Sequence, residues 1–220
     1  MLILGVDTSG KDGSIALMEF ERGHARALEL VPLEGGTFSA QLVPQISDTL
    51  NGHGLSKRDI DGFAVVSGPG SFTGLRVGLA AIKALAEVLQ KPIAAMSLLE
   101  VVARVAELQG DVTAALDASR GEVYAADFQI SGRQANIRHQ QLLTLVEFIS
   151  VNSDRQIITP DDKIADFIRE KGLRVTQVDR PRADTIARLG FEKIQAGEVI
   201  APEALDANYI RRSDAELKKS

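Results

Sequence analysis

The sequence predicts two α/β domains, each a mixed sheet covered by helices, and three observations carry that prediction. The chain has 220 residues, 45% hydrophobic and 25% charged, a soluble composition long enough for one large domain or two small ones. Two segments echo one another. Leu2–Asp7, the turn Thr8–Gly13 and the run Ser14–Phe20 read as a β-hairpin with a Gly- and Asp-rich turn. Val112–Asp117, Ala118–Gly121 and Glu122–Phe128 repeat the plan, with Asp-x-Ser after the first run and acid-Phe closing the second. Asp7 and Asp117 stand 110 residues apart, so one hairpin opens each half, as a duplication would arrange them. After each hairpin, short apolar runs alternate with helical periods, the mark of strands leading into helices.

In order along the chain, Ser39–Leu50 carries Leu42, Val43, Ile46 and Leu50 at helical spacing and ends at the break Asn51-Gly52-His53-Gly54. Gly62–Ser67 is a short apolar strand, Ser71–Leu89 a long helix, Pro92–Met96 a strand and Leu98–Gln109 a helix. In the second half Leu145–Ser150, Asp161–Lys171 and Ala183–Ala196 have helical periods, and Arg155–Thr159 and Leu173–Val178 read as strands. The expected domains are 1–104 and 105–202, with a terminal helix over 203–220 packing back on the first.

Composition narrows the chemistry. There is no Cys, which excludes disulfides, thiol catalysis and thiolate metal sites. His24, His53 and His139 lie far apart, and none has a metal-binding spacing, so no metal site is expected. The N-terminus reaches Asp7 without a basic n-region and does not read as a signal peptide; apolar stretches are broken by charge, so no membrane anchor is expected and the cytoplasm is the expected location. The net charge of −5 argues against independent nucleic-acid binding. Arg211, Arg212, Lys218 and Lys219 form a small basic cluster, read as the solvated side of the terminal helix.

The segment Gly68-Pro-Gly-Ser-Phe-Thr-Gly-Leu-Arg76 is the most distinctive stretch. Gly68-Pro69-Gly70 makes a tight turn and Ser71 is a suitable N-cap. A glycine-rich strand-to-helix turn presents backbone N–H groups at a positive helix end, where an anion such as phosphate can sit. The nucleotide motifs themselves are absent. No Gly-Lys-Ser/Thr exists, and Gly68, Gly70 and Gly74 are one residue too widely spaced for the dinucleotide fingerprint. Ser71 lacks a nucleophile elbow and a His partner. Gly70, Gly74 and Gly78, with Ala81 beside them, recur every four residues. Such a stripe admits the close approach of another element, either within the chain or from a partner helix, with Leu75, Leu79, Ile82, Leu85 and Leu89 as flanking apolar surface. Each Gly costs the helix roughly 1 kcal/mol against Ala, so the stripe needs a compensating contact.

The hairpin with Asp7, its echo at Asp117 and the run Gly68–Gly78 together resemble the bacterial tRNA threonylcarbamoyladenosine biosynthesis protein TsaB family, also called YeaZ. The resemblance covers most of the first half and continues through Leu116–Tyr124. It implies two ribonuclease-H-like domains, as in actin, and a subunit without catalysis of its own that binds a TsaD-like catalytic paralogue. TsaD-like proteins, with a TsaE-like ATPase, transfer a threonylcarbamoyl group to the adenosine beside the anticodon of tRNAs reading ANN codons. It implies no cofactor on this chain, with ATP or ADP and metal on the TsaD-like partner or at the subunit boundary, and tRNA reached only through the complex. It also implies that the two first-half helices form a bundle with the partner, or a homodimer when the partner is missing. The interface residues expected on that basis are Leu42, Ile46, Ser71, Phe72, Gly74, Leu75, Gly78, Leu79, Ala81 and Ile82. Asp7, Asp117 and Gly70 would be a vestigial phosphate site; an alternative is a stand-alone actin-like ATPase or kinase that uses Asp7 and Asp117. Two departures stand out. Aligned on Pro92, the metal-binding His pair of TsaD-like proteins falls on Leu98 and Val102, and the His-Ser common at the start of the first helix is Phe38-Ser39 here.

Overall fold

The computed structural model describes residues 1–211. They form two compact units: Met1–Ser97 with Arg182–Asn208, and Leu98–Pro181 with Tyr209–Arg211.

The first unit begins with the expected hairpin, β1 (Leu2–Asp7) against β2 (Gly13–Glu21), and adds β3 (His24–Leu33) antiparallel to β2. Helix α1 (Phe38–Gly52) leads through a single 3-10 turn to β4 (Gly62–Gly68), helix α2 (Phe72–Leu89) and β5 (Ile93–Ser97). The sheet order is β3-β2-β1-β4-β5, with β1, β4 and β5 parallel. β1 and β4 are buried along almost their whole length, as strands covered on both faces must be. Helices α1 and α2 lie together, and α6 (Ala183–Gln195) packs along β1, β2, β4 and β5.

Helix α6 accounts for the difference from the expected boundaries. Sequence order put it in the second half, but its buried residues Ala183, Ile186, Ala187 and Gly190 fit the first sheet. A Cβ on Gly5 would collide with the carbonyl of Ala183, and one on Gly190 with the Cβ of Ala64, so α6 approaches the backbone of β1 and a methyl group of β4 too closely for a side chain at either glycine. Phe20 and Phe191 stack with centroids 4.1 Å apart. The second boundary also moves, from 104 to Ser97, because α3 (Leu98–Val105) packs on β6, β7, β8 and β9.

The second unit repeats the plan with β6 (Gly110–Asp117), β7 (Glu122–Ser131), β8 (Gln134–Thr144), β9 (Gln156–Thr159) and β10 (Val175–Gln177). Their order, β10-β9-β6-β7-β8, is the first sheet's order written from the other edge. Even the irregularities correspond: a bulge falls at Leu17/Met18 in β2 and at Asp127/Phe128 in β7, each in the strand after its aspartate. Helices α4 (Leu145–Val151) and α5 (Asp162–Glu170) close a core of Ala115, Val123, Ala125, Phe148, Ile157, Ile164 and Ile168.

Helix α3 ends at Val105 rather than Gln109, and Glu107 and Gly110 at positive φ turn the chain into β6. β3 and β8 have no counterpart in the sequence reading, since both are exposed edge strands with little apolar alternation. The expected terminal helix over 203–220 is absent from its described part: Pro202–Ala204 is a 3-10 turn, and nothing helical follows through Arg211. Pro202 starts the turn at its first position, and the extended Leu205 ends it. The remainder of that helix, with Arg212, Lys218 and Lys219, lies outside the described residues. Arg211 itself pairs with Glu122 and sits over the Tyr124 ring, 5.8 Å from its centroid.

Candidate functional site

In the first unit the structure brings Asp7, Gly70, Ser71, Gly74 and Gly78 together around one loop. β1 ends at Asp7, whose carboxylate turns back on its own chain: Oδ1 accepts from the Ser9 amide at 2.8 Å and from the Ser9 hydroxyl at 2.6 Å. Asp7, Thr8 and Ser9 are each almost fully buried, so these bonds satisfy a carboxylate that burial would otherwise penalise. On the other side, β4 runs into Gly68-Pro69-Gly70, and α2 starts with Ser71 as its N-cap, accepting from the Gly74 amide at 3.3 Å.

The loop after β1 then fills the glycine stripe. A Cβ on Gly70 would strike the Ser9 carbonyl, one on Gly74 the Thr8 carbonyl, and one on Gly78 the Thr8 hydroxyl. The Ser71 amide donates to the Ser9 carbonyl at 2.7 Å, and Thr8 Oγ1 donates to the Gly74 carbonyl at 2.7 Å. Of the two readings the spacing allowed, the structure takes the intramolecular one. The glycines let the Thr8–Ser9 backbone lie against α2, and this contact offsets their helix cost. The same contact answers the phosphate reading. An anion at this helix start would need the glycine surface and the Ser71 amide that Thr8 and Ser9 occupy, so the residues present do not fit one.

Most of the expected interface residues sit against their own chain. Gly74 and Gly78 face the loop, while Leu42, Ile46, Leu75, Leu79 and Ile82 are buried within the unit's own core. Ser71 and Phe72 are exposed and Ala81 half-buried. The exposed strip of α2 lies opposite the glycines: Phe72, Arg76, Ala80, Ala84 and Val88, at four-residue intervals. Phe72 is 38% exposed and Val88 73%, and the Arg76 guanidinium stacks 3.7 Å above the Phe72 ring. Helix α1, which packs against α2, exposes Ala40, Val43 and Pro44. Sequence periodicity missed this strip because small residues give little hydrophobic signal. The outward repeat of Ala80 and Ala84 was the available clue.

In the second unit Asp117 also binds its own turn. Its side chain accepts from the Ser119 amide at 2.7 Å, and its amide donates to Asp161 Oδ2 at 2.7 Å. Ser119, Arg120 and Gly121 all have positive φ, a tight turn with one glycine among the three. Asp161 in turn lies 3.5 Å from the Arg180 guanidinium. Leu98 and Val102 are buried apolar residues of α3, and no group of His, Asp and Glu able to hold a metal occurs among the described residues. No helix among them is long and apolar enough to cross a membrane.

Two units with one strand order, each containing an Asp-bearing hairpin, define the class: a duplicated, ribonuclease-H-like α/β protein of the actin-like type. The solved structure of YeaZ from Pseudomonas aeruginosa has this fold, with a TM-score of 0.73 at 24% identity over 94% of this chain and 100% of that one. The family model described as TsaD, tRNA N6-adenosine threonylcarbamoyltransferase, matches residues 34–189. The tRNA threonylcarbamoyladenosine biosynthesis protein TsaB of Bacillus subtilis is 30% identical over 230 residues, covering 99% of this chain and 97% of that protein. TsaB of Escherichia coli K12 is 29% identical over 233 residues, covering 98% and 96%. The chain belongs to the TsaB, or YeaZ, family.

Proposed function

We propose that this chain is a subunit without catalysis of its own in tRNA threonylcarbamoyladenosine synthesis, and that it acts by pairing with a TsaD-like catalytic subunit. The modified base is the adenosine beside the anticodon of tRNAs reading ANN codons. A TsaE-like ATPase joins the larger complex, tRNA is met only there, and the nucleotide and metal belong to the partner or the subunit boundary. Alone in the cytoplasm, the chain pairs with a second copy.

The observation that carries this reading is the division of α2 into two faces. Its glycine face is closed on Thr8–Ser9, where a nucleotide-using protein would need open backbone, and its other face is exposed, with the Phe72–Arg76 pair followed by the small apolar Ala80, Ala84 and Val88. The exposed Ala80, Ala84 and Val88 of α2, with the exposed Val43 of the neighbouring α1, suit close packing against a partner's helices. The relatives' name supplies the pathway, and the self-bound carboxylates of Asp7 and Asp117 favour a non-catalytic role.

The purified chain is expected to show no Mg-dependent ATP turnover, and to form a stable complex with the TsaD-like protein of the same cell in size-exclusion chromatography. Ala80→Glu, placed on the exposed strip, abolishes that complex while leaving the circular dichroism spectrum unchanged. Robust turnover by the chain alone sinks the proposal in favour of a stand-alone ATPase.

A further inference from the structure

We infer that Thr8 is a positioning residue for partner binding: its hydroxyl sets the pose in which α2 presents its exposed strip. The inference rests on the proposed docking through that strip. Thr8 is 2% exposed, and its hydroxyl reaches into the gap between Gly74 and Gly78, bonding the Gly74 carbonyl at 2.7 Å. The Thr8 Cβ and Cγ2 atoms lie 3.5 Å from the point where a Gly78 Cβ would stand, so the whole side chain is wedged against the helix.

The loop that carries Thr8 is stiff. At one end Asp7 is paired with Ser14 in the β1–β2 ladder. At the other, Ser9 is held by the Asp7 carboxylate through two bonds and accepts from the Ser71 amide. Contacts of this kind transmit position with little slack. No Cβ separates the helix from the loop at Gly70, Gly74 or Gly78, so the spacing is fixed by backbone and one hydroxyl rather than averaged over rotamers. A docking face made of small side chains depends on close complementarity, and preorganisation of such a face contributes directly to affinity. The rest of α2 is anchored through Leu79, Ile82 and Ala86. Loss of the Thr8 hydroxyl therefore loosens the pose of the first turns without detaching the helix.

The test measures binding of full-length variants to the TsaD-like subunit of the same cell by isothermal titration calorimetry, with circular dichroism to verify folding. Thr8→Val keeps the shape and removes the hydroxyl, Thr8→Ala removes atoms only and so folds even if Val does not, and Thr8→Ser keeps the hydroxyl. The expected result is an affinity about tenfold weaker for Val and Ala, the effect of one hydrogen bond, with Ser within about twofold of the wild type. Wild-type affinity for Val and Ala, alongside lost binding in Ala80→Glu, overturns the role of Thr8 and leaves the docking face standing. A Ser variant as weak as Val also overturns it, because the methyl rather than the hydroxyl would then matter. Unchanged binding in Ala80→Glu removes the docking face and, with it, this inference.

Discussion

Gly78 concentrates the difference between a residue that faces a partner and one that faces its own chain. It is buried, and the Thr8 hydroxyl occupies the place a side chain would take. Gly78→Leu is therefore expected to destabilise the first unit by about 3 kcal/mol or more, since a clash with a pinned loop outweighs the roughly 1 kcal/mol gained in helix propensity. Chemical denaturation reads this directly; a variant as stable as the wild type would contradict the seating described. By contrast Ala84→Gln, on the opposite side of α2, changes stability by less than about 0.5 kcal/mol. At this scale the sequence showed that something must lie against Gly70, Gly74 and Gly78. It could not show what, because Thr8 and Ser9 are far away in the sequence and spacing along one helix carries no information about its neighbour.

Among the elements, those with strong local signals were legible and those defined only by their neighbours were not. The two hairpins, α1, α2 and α5 announce themselves through apolar period, turns and caps. Edge strands β3 and β8 do not, because all their residues but Leu33 are half-exposed or exposed and they exist by pairing with β2 and β7. Helix α4 shows how much a cap can specify in a seven-residue helix. Thr144 and Glu147 form a reciprocal capping box, in which the Thr144 hydroxyl and amide donate to Glu147 Oε2 at 2.7 and 2.8 Å. The hydroxyl first, then the amide, hold the Glu147 carboxyl below its ordinary pKa. A depressed folded-state value means that the box stabilises the fold above the unfolded pKa and that this contribution is lost as pH falls through the folded one. Thr144→Val should therefore raise the Glu147 pKa toward the ordinary carboxylate value in an NMR titration and make acid-induced loss of thermal stability shallower. An unmoved titration would mean that the box does not form in solution.

For the whole molecule, duplication was visible in the sequence, but the division of the chain was not. The echo of Asp7 in Asp117 marks two copies of one plan, and the matched strand orders bear this out. Helix α6 follows the second copy in the chain and yet completes the first, a return that neither periodicity nor composition encodes. Truncation after Pro181 is accordingly expected to unfold the first unit, because it strips one sheet face of Ala183, Ile186 and Ala187 and of the Phe20–Phe191 stack. At roughly 1.5–3 kcal/mol for each large buried side chain, that loss rivals the whole stability of a domain. Cooperative unfolding of the truncated chain at wild-type temperature would contradict this partition. The proposed role also belongs to this scale, since it concerns what the exposed strip of α1 and α2 meets. The most direct measurement is the threonylcarbamoyladenosine content of tRNA, by mass spectrometry of nucleosides, in cells lacking the native gene and supplied with wild-type or Ala80→Glu protein. The account predicts that the wild type restores the modification and that the folded Ala80→Glu protein does not; full restoration by Ala80→Glu, or none by the wild type, would contradict it.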